Sequence, residues 1–163
     1  MNRHYYAIIL AGGQGLRMGH DIPKQFIEIE GKPILRHTIE RFMESFDEIE
    51  IIVVLPSGEK EYWKEYCNRT GFLQRYIMPS GGITRFHSVQ NALKYVPGGA
   101  IVAIHDGVRP FVTSDFLRSM FEKMGACKAL VPVIPPVESL REIGPDGIST
   151  AVDRSRYRLV QTP

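Results

Sequence analysis

Tyr6-Ala-Ile-Ile-Leu10 runs directly into Ala11-Gly-Gly-Gln-Gly-Leu-Arg-Met-Gly19. A short apolar run without polar alternation is the pattern of a strand buried on both faces of a parallel sheet, and the glycines close it with a turn. Runs of the same kind follow at residues 50–55, 99–104 and 129–133, with a weaker one at 75–78 before Pro79. Helical patterns lie between them. Pro33 opens the first as a first-turn proline, with Ile34/Leu35, Thr38/Ile39, Phe42/Met43 and Phe46 as its apolar stripe. The second covers residues 58–69 around Tyr62, Trp63 and Tyr66, aromatics that read as core and surface cover. The third carries Val89, Ala92/Leu93 and Val96. The fourth follows the capping cluster Thr113-Ser114-Asp115, with Phe116/Leu117, Met120/Phe121 and Met124 inward. This alternation predicts a layered, mostly parallel α/β sheet with right-handed crossovers.

The texture changes late in the chain. Gly144-Pro-Asp-Gly147 is a hairpin turn signal between apolar-bearing flanks, so residues 136–156 read as a β-hairpin arm leaving the sheet. Residues 157–160 return as a strand. The 163 residues, 44% hydrophobic and 23% charged, fit a single globular domain. Twenty Lys+Arg against eighteen Asp+Glu leave +2, too balanced for a nucleic-acid grip, and no apolar run is long enough for a membrane span or a secretory signal. Cys67 and Cys127 fit a reducing cytoplasm better than a disulfide framework.

The chemistry-bearing residues cluster in short motifs. Gly12, Gly13 and Gly15 let backbone N–H groups approach a phosphate closely, yet no Gly-Lys-Ser/Thr follows, and the glycine spacing is one residue too long for the dinucleotide fingerprint. Arg17 and Lys24 flank this loop, and two fixed cations there suit a triphosphate whose pyrophosphate departs. Asp106 falls at the carboxyl end of a strand, where one carboxylate can share Mg²⁺ with substrate phosphates. His105 beside it reads as packed rather than catalytic. Gly81-Gly82 with Ser88 can read a base edge through backbone groups and one hydroxyl. Neither a zinc ligand set nor a covalent-catalysis pair is present in the motifs.

Taken in order, the glycine loop, Pro23-Lys-Gln-Phe26, Gly81-Gly-Ile-Thr-Arg-Phe-His-Ser-Val89, His105-Asp-Gly-Val-Arg-Pro110, Val152-Asp-Arg154 and Gln161-Thr-Pro163 resemble the 2-C-methyl-D-erythritol 4-phosphate cytidylyltransferases of non-mevalonate isoprenoid synthesis. The resemblance spans essentially the whole chain. It implies a Rossmann-like nucleotidyltransferase fold that transfers CMP from CTP to a polyol phosphate, with Mg²⁺ as cofactor. It implies Arg17 and Lys24 as the catalytic cations on the CTP phosphates. Ala11, Gly12, Gly82 and Ser88 would surround cytosine. Asp106 and Arg109 would stand between nucleotide, metal and acceptor. Ser139, where the family often has threonine, and Arg154 would reach a partner subunit's site in a homodimer built through the arm. Family members continue past Gln-Thr-Pro, so the end of the family domain is expected to be missing here, with turnover impaired. Two alternatives stay open at this point: ribitol-5-phosphate as acceptor, and a nucleotide-binding module without turnover.

Overall fold

The computed structural model describes residues 4–12, 22–72 and 75–161. The chain divides into two compact units, Met1–Cys127 and Lys128–Thr162, with Pro163 grouped with the first. In the first unit the elements run β1 (Tyr5–Leu10), β2 (Glu28–Ile29), β3 (Lys32–Pro33), α1 (Ile34–Met43), β4 (Glu50–Val54), α2 (Lys60–Thr70), α3 (Arg85–Leu93), β5 (Ile101–Asp106) and α4 (Ser114–Lys123). The sheet has the order β4-β1-β5, all parallel, so the expected α/β architecture holds. Side chains of β1 split by parity. Ala7 and Ile9 join Leu35, Ile39 and Phe42 of α1 in one cluster, while Ile8 and Leu10 join Ile52, Val54 and Ala92 on the other face. Alternate residues of a strand point to opposite faces, so β1 is apolar throughout because both faces are covered.

The helices form for local reasons, with small departures from expectation. Glu30 and Gly31 both have positive φ, the two-residue hairpin turn joining β2 to β3. That ladder uses Pro33, which therefore stands just outside α1 as its cap residue rather than in its first turn. Thr113 caps α4 by accepting from the Phe116 N–H at 3.2 Å, as the sequence predicts. Gly71 ends α2 in the left-handed conformation (φ 64°). Met43, Leu93 and Phe116 are exposed, so the apolar stripes are narrower than the sequence pattern drew them. Trp63 and Tyr66 are core residues and Tyr62 is surface cover.

Two expected strands differ. In place of a full strand at 75–78 there are isolated parallel bridges, Ile77 beside Ile52 and, just beyond the expected run, Ser80 beside Leu55. The 129–133 run does not join the parallel sheet. Of this run only Val133 enters a strand, β6 (Val133–Ile134), antiparallel to β9 (Leu159–Val160). Pro132 on one side and Pro135-Pro136 on the other lack the N–H that a longer ladder requires, and Leu130, Val131 and Val133 are exposed.

The second unit also holds the expected hairpin, β7 (Arg141–Ile143) antiparallel to β8 (Ser149–Ala151). The Gly147 N–H donates to Gly144 O at 3.0 Å, and Gly147 sits at φ 78°, a tight turn followed by a left-handed glycine. No helix among the described residues is long and apolar enough to cross a membrane.

Candidate active site

Parallel pairing of Leu10 with Asp106 brings the carboxyl ends of β1 and β5 out side by side. Ala11 is buried and Gly12 exposed at the end of β1, with the Ala11 N–H bonded to Val54 O at 2.9 Å. The turn after β5 is pinned from two directions. The Gly107 N–H donates to Leu10 O at 2.7 Å, and the buried Thr38 hydroxyl of α1 donates to Gly107 O at 2.9 Å. A Cβ on Gly107 would lie 2.9 Å from Leu35 Cδ1 and 3.0 Å from Ala11 Cβ, so a side chain there would press on both residues.

The start of α3 is tied to β4. The Gly81 N–H donates to Leu55 O at 2.9 Å. Ser88 accepts from the Gly82 N–H at 3.0 Å and donates to Thr84 O at 3.1 Å. The hydroxyl thus shapes the glycine turn, and its single proton is engaged within the turn. A Cβ on Gly82 would fall 2.3 Å from His87 Cβ, so this position admits no side chain without moving backbone.

Asp106 stands at the end of β5 between two guanidinium groups. Arg85 Nη2 reaches its Oδ1 at 3.2 Å and Arg109 Nε its Oδ2 at 3.3 Å. His105 beside it is only 2% exposed, edge-on to Phe42. Burial pushes its imidazole down to about 4, and the ring is neutral at pH 7. Its Nδ1 lies 2.9 Å from Asp106 O. A carbonyl only accepts, so Nδ1 carries the proton, and His105 is a packing residue as the sequence predicts.

Lys24 opens a 3₁₀ turn, Lys24–Phe26, and is half-buried. Gly13, Gly15 and Arg17 lie outside the described residues. In the second unit Ser139 is exposed, and Arg154 donates through Nη1 to Val137 O, next to the Asp153-capped turn Arg154–Arg156. The first unit thus brings together Ala11, Gly12, Asp106 and Arg109 on adjoining strand ends, while Ser139 and Arg154 belong to the second unit.

A sequence profile of the family described as 2-C-methyl-D-erythritol 4-phosphate cytidylyltransferase matches residues 5–163. The chain belongs to the 2-C-methyl-D-erythritol 4-phosphate cytidylyltransferase family. It is 48% identical over 163 residues to the protein of that name from Phocaeicola vulgatus, covering all of this chain and 73% of the relative. The Bacteroides thetaiotaomicron protein of the same name is 47% identical over 156 residues, covering 96% of this chain and 71% of the relative. A solved 4-diphosphocytidyl-2C-methyl-D-erythritol synthase from Anaerococcus prevotii shares the fold, with a TM-score of 0.79 at 24% identity over 99% of this chain and 69% of that one. For a cytidylyltransferase of this family, Arg85 is the residue that motif reading passed over. It follows the Thr84 cap directly, and its ion pair joins α3 to the strand end that carries Asp106.

Proposed function

We propose that the chain catalyses the reaction for which its family is named, transferring CMP from CTP to 2-C-methyl-D-erythritol 4-phosphate with release of pyrophosphate. The observation that carries this reading is the whole-chain match at 48% identity to a relative of that name. The acceptor phosphate is already an anionic nucleophile, so catalysis needs positioning and charge stabilisation more than a strong base. Arg17 and Lys24 are read as the cations that bind the triphosphate and stabilise the transition state. Ala11, Gly12, Gly82 and Ser88 are read as the cytosine surround, with Gly13 and Gly15 supplying backbone N–H groups. The fixed turns around Gly82 and Gly107 support this, because a backbone-lined pocket discriminates only when it cannot relax. Arg109, Ser139 and Arg154 are assigned to the acceptor.

Mg²⁺ takes one or two protein carboxylates and completes its shell with phosphates and water. Asp106 fits that demand, being partly exposed with one arginine contact per oxygen and further lone pairs remaining. It would hold the cation against the CTP phosphates, and the ion would supply neutralisation of their charge. The arm is read as a homodimer contact, since Val137, Ile143 and Ile148 are 77%, 66% and 65% exposed and an isolated hairpin is marginal in water. Two free cysteines support a cytoplasmic location.

The test is an assay of pyrophosphate release with CTP, Mg²⁺ and either 2-C-methyl-D-erythritol 4-phosphate or ribitol 5-phosphate. Turnover is expected with the former and not the latter, and CTP is expected to raise the Tm far more than ATP or GTP. Preference for ribitol 5-phosphate would overturn the acceptor assignment. CTP binding without turnover on either acceptor would leave a nucleotide-binding module.

A further inference from the structure

Gln25 is 1% exposed, although it lies in a three-residue turn beside a cation. Its side chain makes one described hydrogen bond, Nε2 donating to Oε2 of Glu59, 34 residues away at the residue just before α2. Phe26, the next residue, is 3% exposed and packs on Tyr62 and Trp63 of α2, with ring centroids at 4.7 and 6.1 Å. The backbone of the turn closes on itself through Phe26 N to Pro23 O at 2.9 Å and Ile27 N to Lys24 O at 3.2 Å, and at its downstream end Ile27 O accepts from Ile34 N of α1 at 3.0 Å. The Phe26 ring and the Ile27 bond both act on the downstream side of the turn, away from Lys24. The Gln25 bond to Glu59 adds an attachment at the residue next to the cation. A leucine would fill the same space with no partner requirement, so a buried amide with one distant acceptor specifies geometry more than packing.

We propose that Gln25 and Glu59 are positioning residues that hold the Lys24 turn to the start of α2, so that the Lys24 ammonium meets the CTP phosphates in one fixed orientation. The proposal rests on the reading of Lys24 as a phosphate-binding cation. Burial pushes the Glu59 carboxyl up and the Gln25 bond opposes that shift, which agrees with a pair formed at the edge of the core. As positioning residues, Gln25 and Glu59 do not themselves touch substrate. Their effect passes through Lys24, and a misplaced cation loses transition-state stabilisation without loss of fold.

The experiment measures steady-state kcat and KM for CTP, with Tm, on five variants of the enzyme. Gln25→Leu is expected to keep or raise the Tm while lowering kcat/KM by roughly tenfold or more. In a Lys24→Ala background the same change is expected to lower kcat/KM by less than about twofold, because residues acting through one group are not additive. Gln25→Glu alone sets two carboxylates together and is expected to behave like Gln25→Leu. The exchanged pair Gln25→Glu/Glu59→Gln restores one donor and one acceptor and is expected to recover kcat/KM to within roughly threefold of the parent. Equal losses with and without Lys24, or no recovery by the exchanged pair in a folded protein, would overturn the proposal. Failure of the underlying reading looks different: Lys24→Ala alone would then retain full activity. Loss in Lys24→Ala with an unaffected Gln25→Leu would retire the clamp alone.

Discussion

Cys67 and Cys127 are both free, and their surroundings make them chemically unlike. Burial pushes the Cys67 thiol up to about 11, despite the opposing Tyr76 hydrogen bond and the nearby Arg36 charge, whereas Cys127 is exposed. Since the thiolate is the nucleophile, a disulfide reagent such as dithionitrobenzoate at pH 8 is expected to titrate one thiol in the native protein and two after unfolding. Rapid native titration of both would place Cys67 outside the core. The same burial predicts a pH dependence. Below about pH 9, the ordinary thiol value, folded and unfolded chains both hold the proton; between there and about 11 only the folded chain does. The unfolded state then binds fewer protons, so stability falls as pH rises through this window. Cys67→Ala is expected to flatten the alkaline limb of Tm against pH. The flattening is expected to be partial, because Tyr76, pushed up to about 12 mainly by its own burial, contributes with the same sign.

Among the elements, α3 and α4 begin with the same threonine cap but differ in what the cap supports. Thr113→Ala is expected to cost about 1 kcal/mol with activity intact, the ordinary loss of a cap. Gly82→Ala places a methyl where His87 already stands, and is expected to destabilise by about 1–3 kcal/mol while also weakening CTP binding. Chemical denaturation with CTP titration checks both, and a Gly82→Ala protein with unchanged nucleotide affinity would separate the turn from the site. The contrast also marks what the sequence could reveal. The Thr113 cap and the 144–147 turn depend on a few adjacent residues and were readable locally. So was β1, whose unbroken apolar run required cover on both faces. Pro33 was misplaced because its fate depends on pairing with Glu28, and the 129–133 run because apolar character does not say which strand will take it. Arg85 and Gln25 were missed for one reason. Each takes its meaning from a partner far along the chain, Asp106 or Glu59, and no local spacing encodes that distance.

At the scale of the whole molecule the homodimer reading has its own test. Mixing two inactive full-length proteins, Arg17→Ala and Arg154→Ala, is expected to restore about a quarter of normal site activity if each site draws Arg154 from the neighbouring subunit, the share that random two-fold pairing gives. No recovery despite demonstrated subunit exchange would put both arginines in one subunit's site. The order β4-β1-β5 carries a further consequence, for how the chain is made. The central strand is the first to be synthesised, yet Tyr6 waits for Glu50 and Tyr5 for Ile101. At a ribosomal rate of about 5–20 residues per second, that second neighbour arrives roughly 5–20 s after the first strand. Until β4 has emerged the Ala7-Ile-Ile-Leu10 segment has two unsatisfied edges, and until β5 follows one of them stays open, a feature that favours pairing with another chain. A sheet whose middle comes first therefore exposes the nascent enzyme to aggregation until β5 has emerged, and makes its folding slow relative to proteins of local topology.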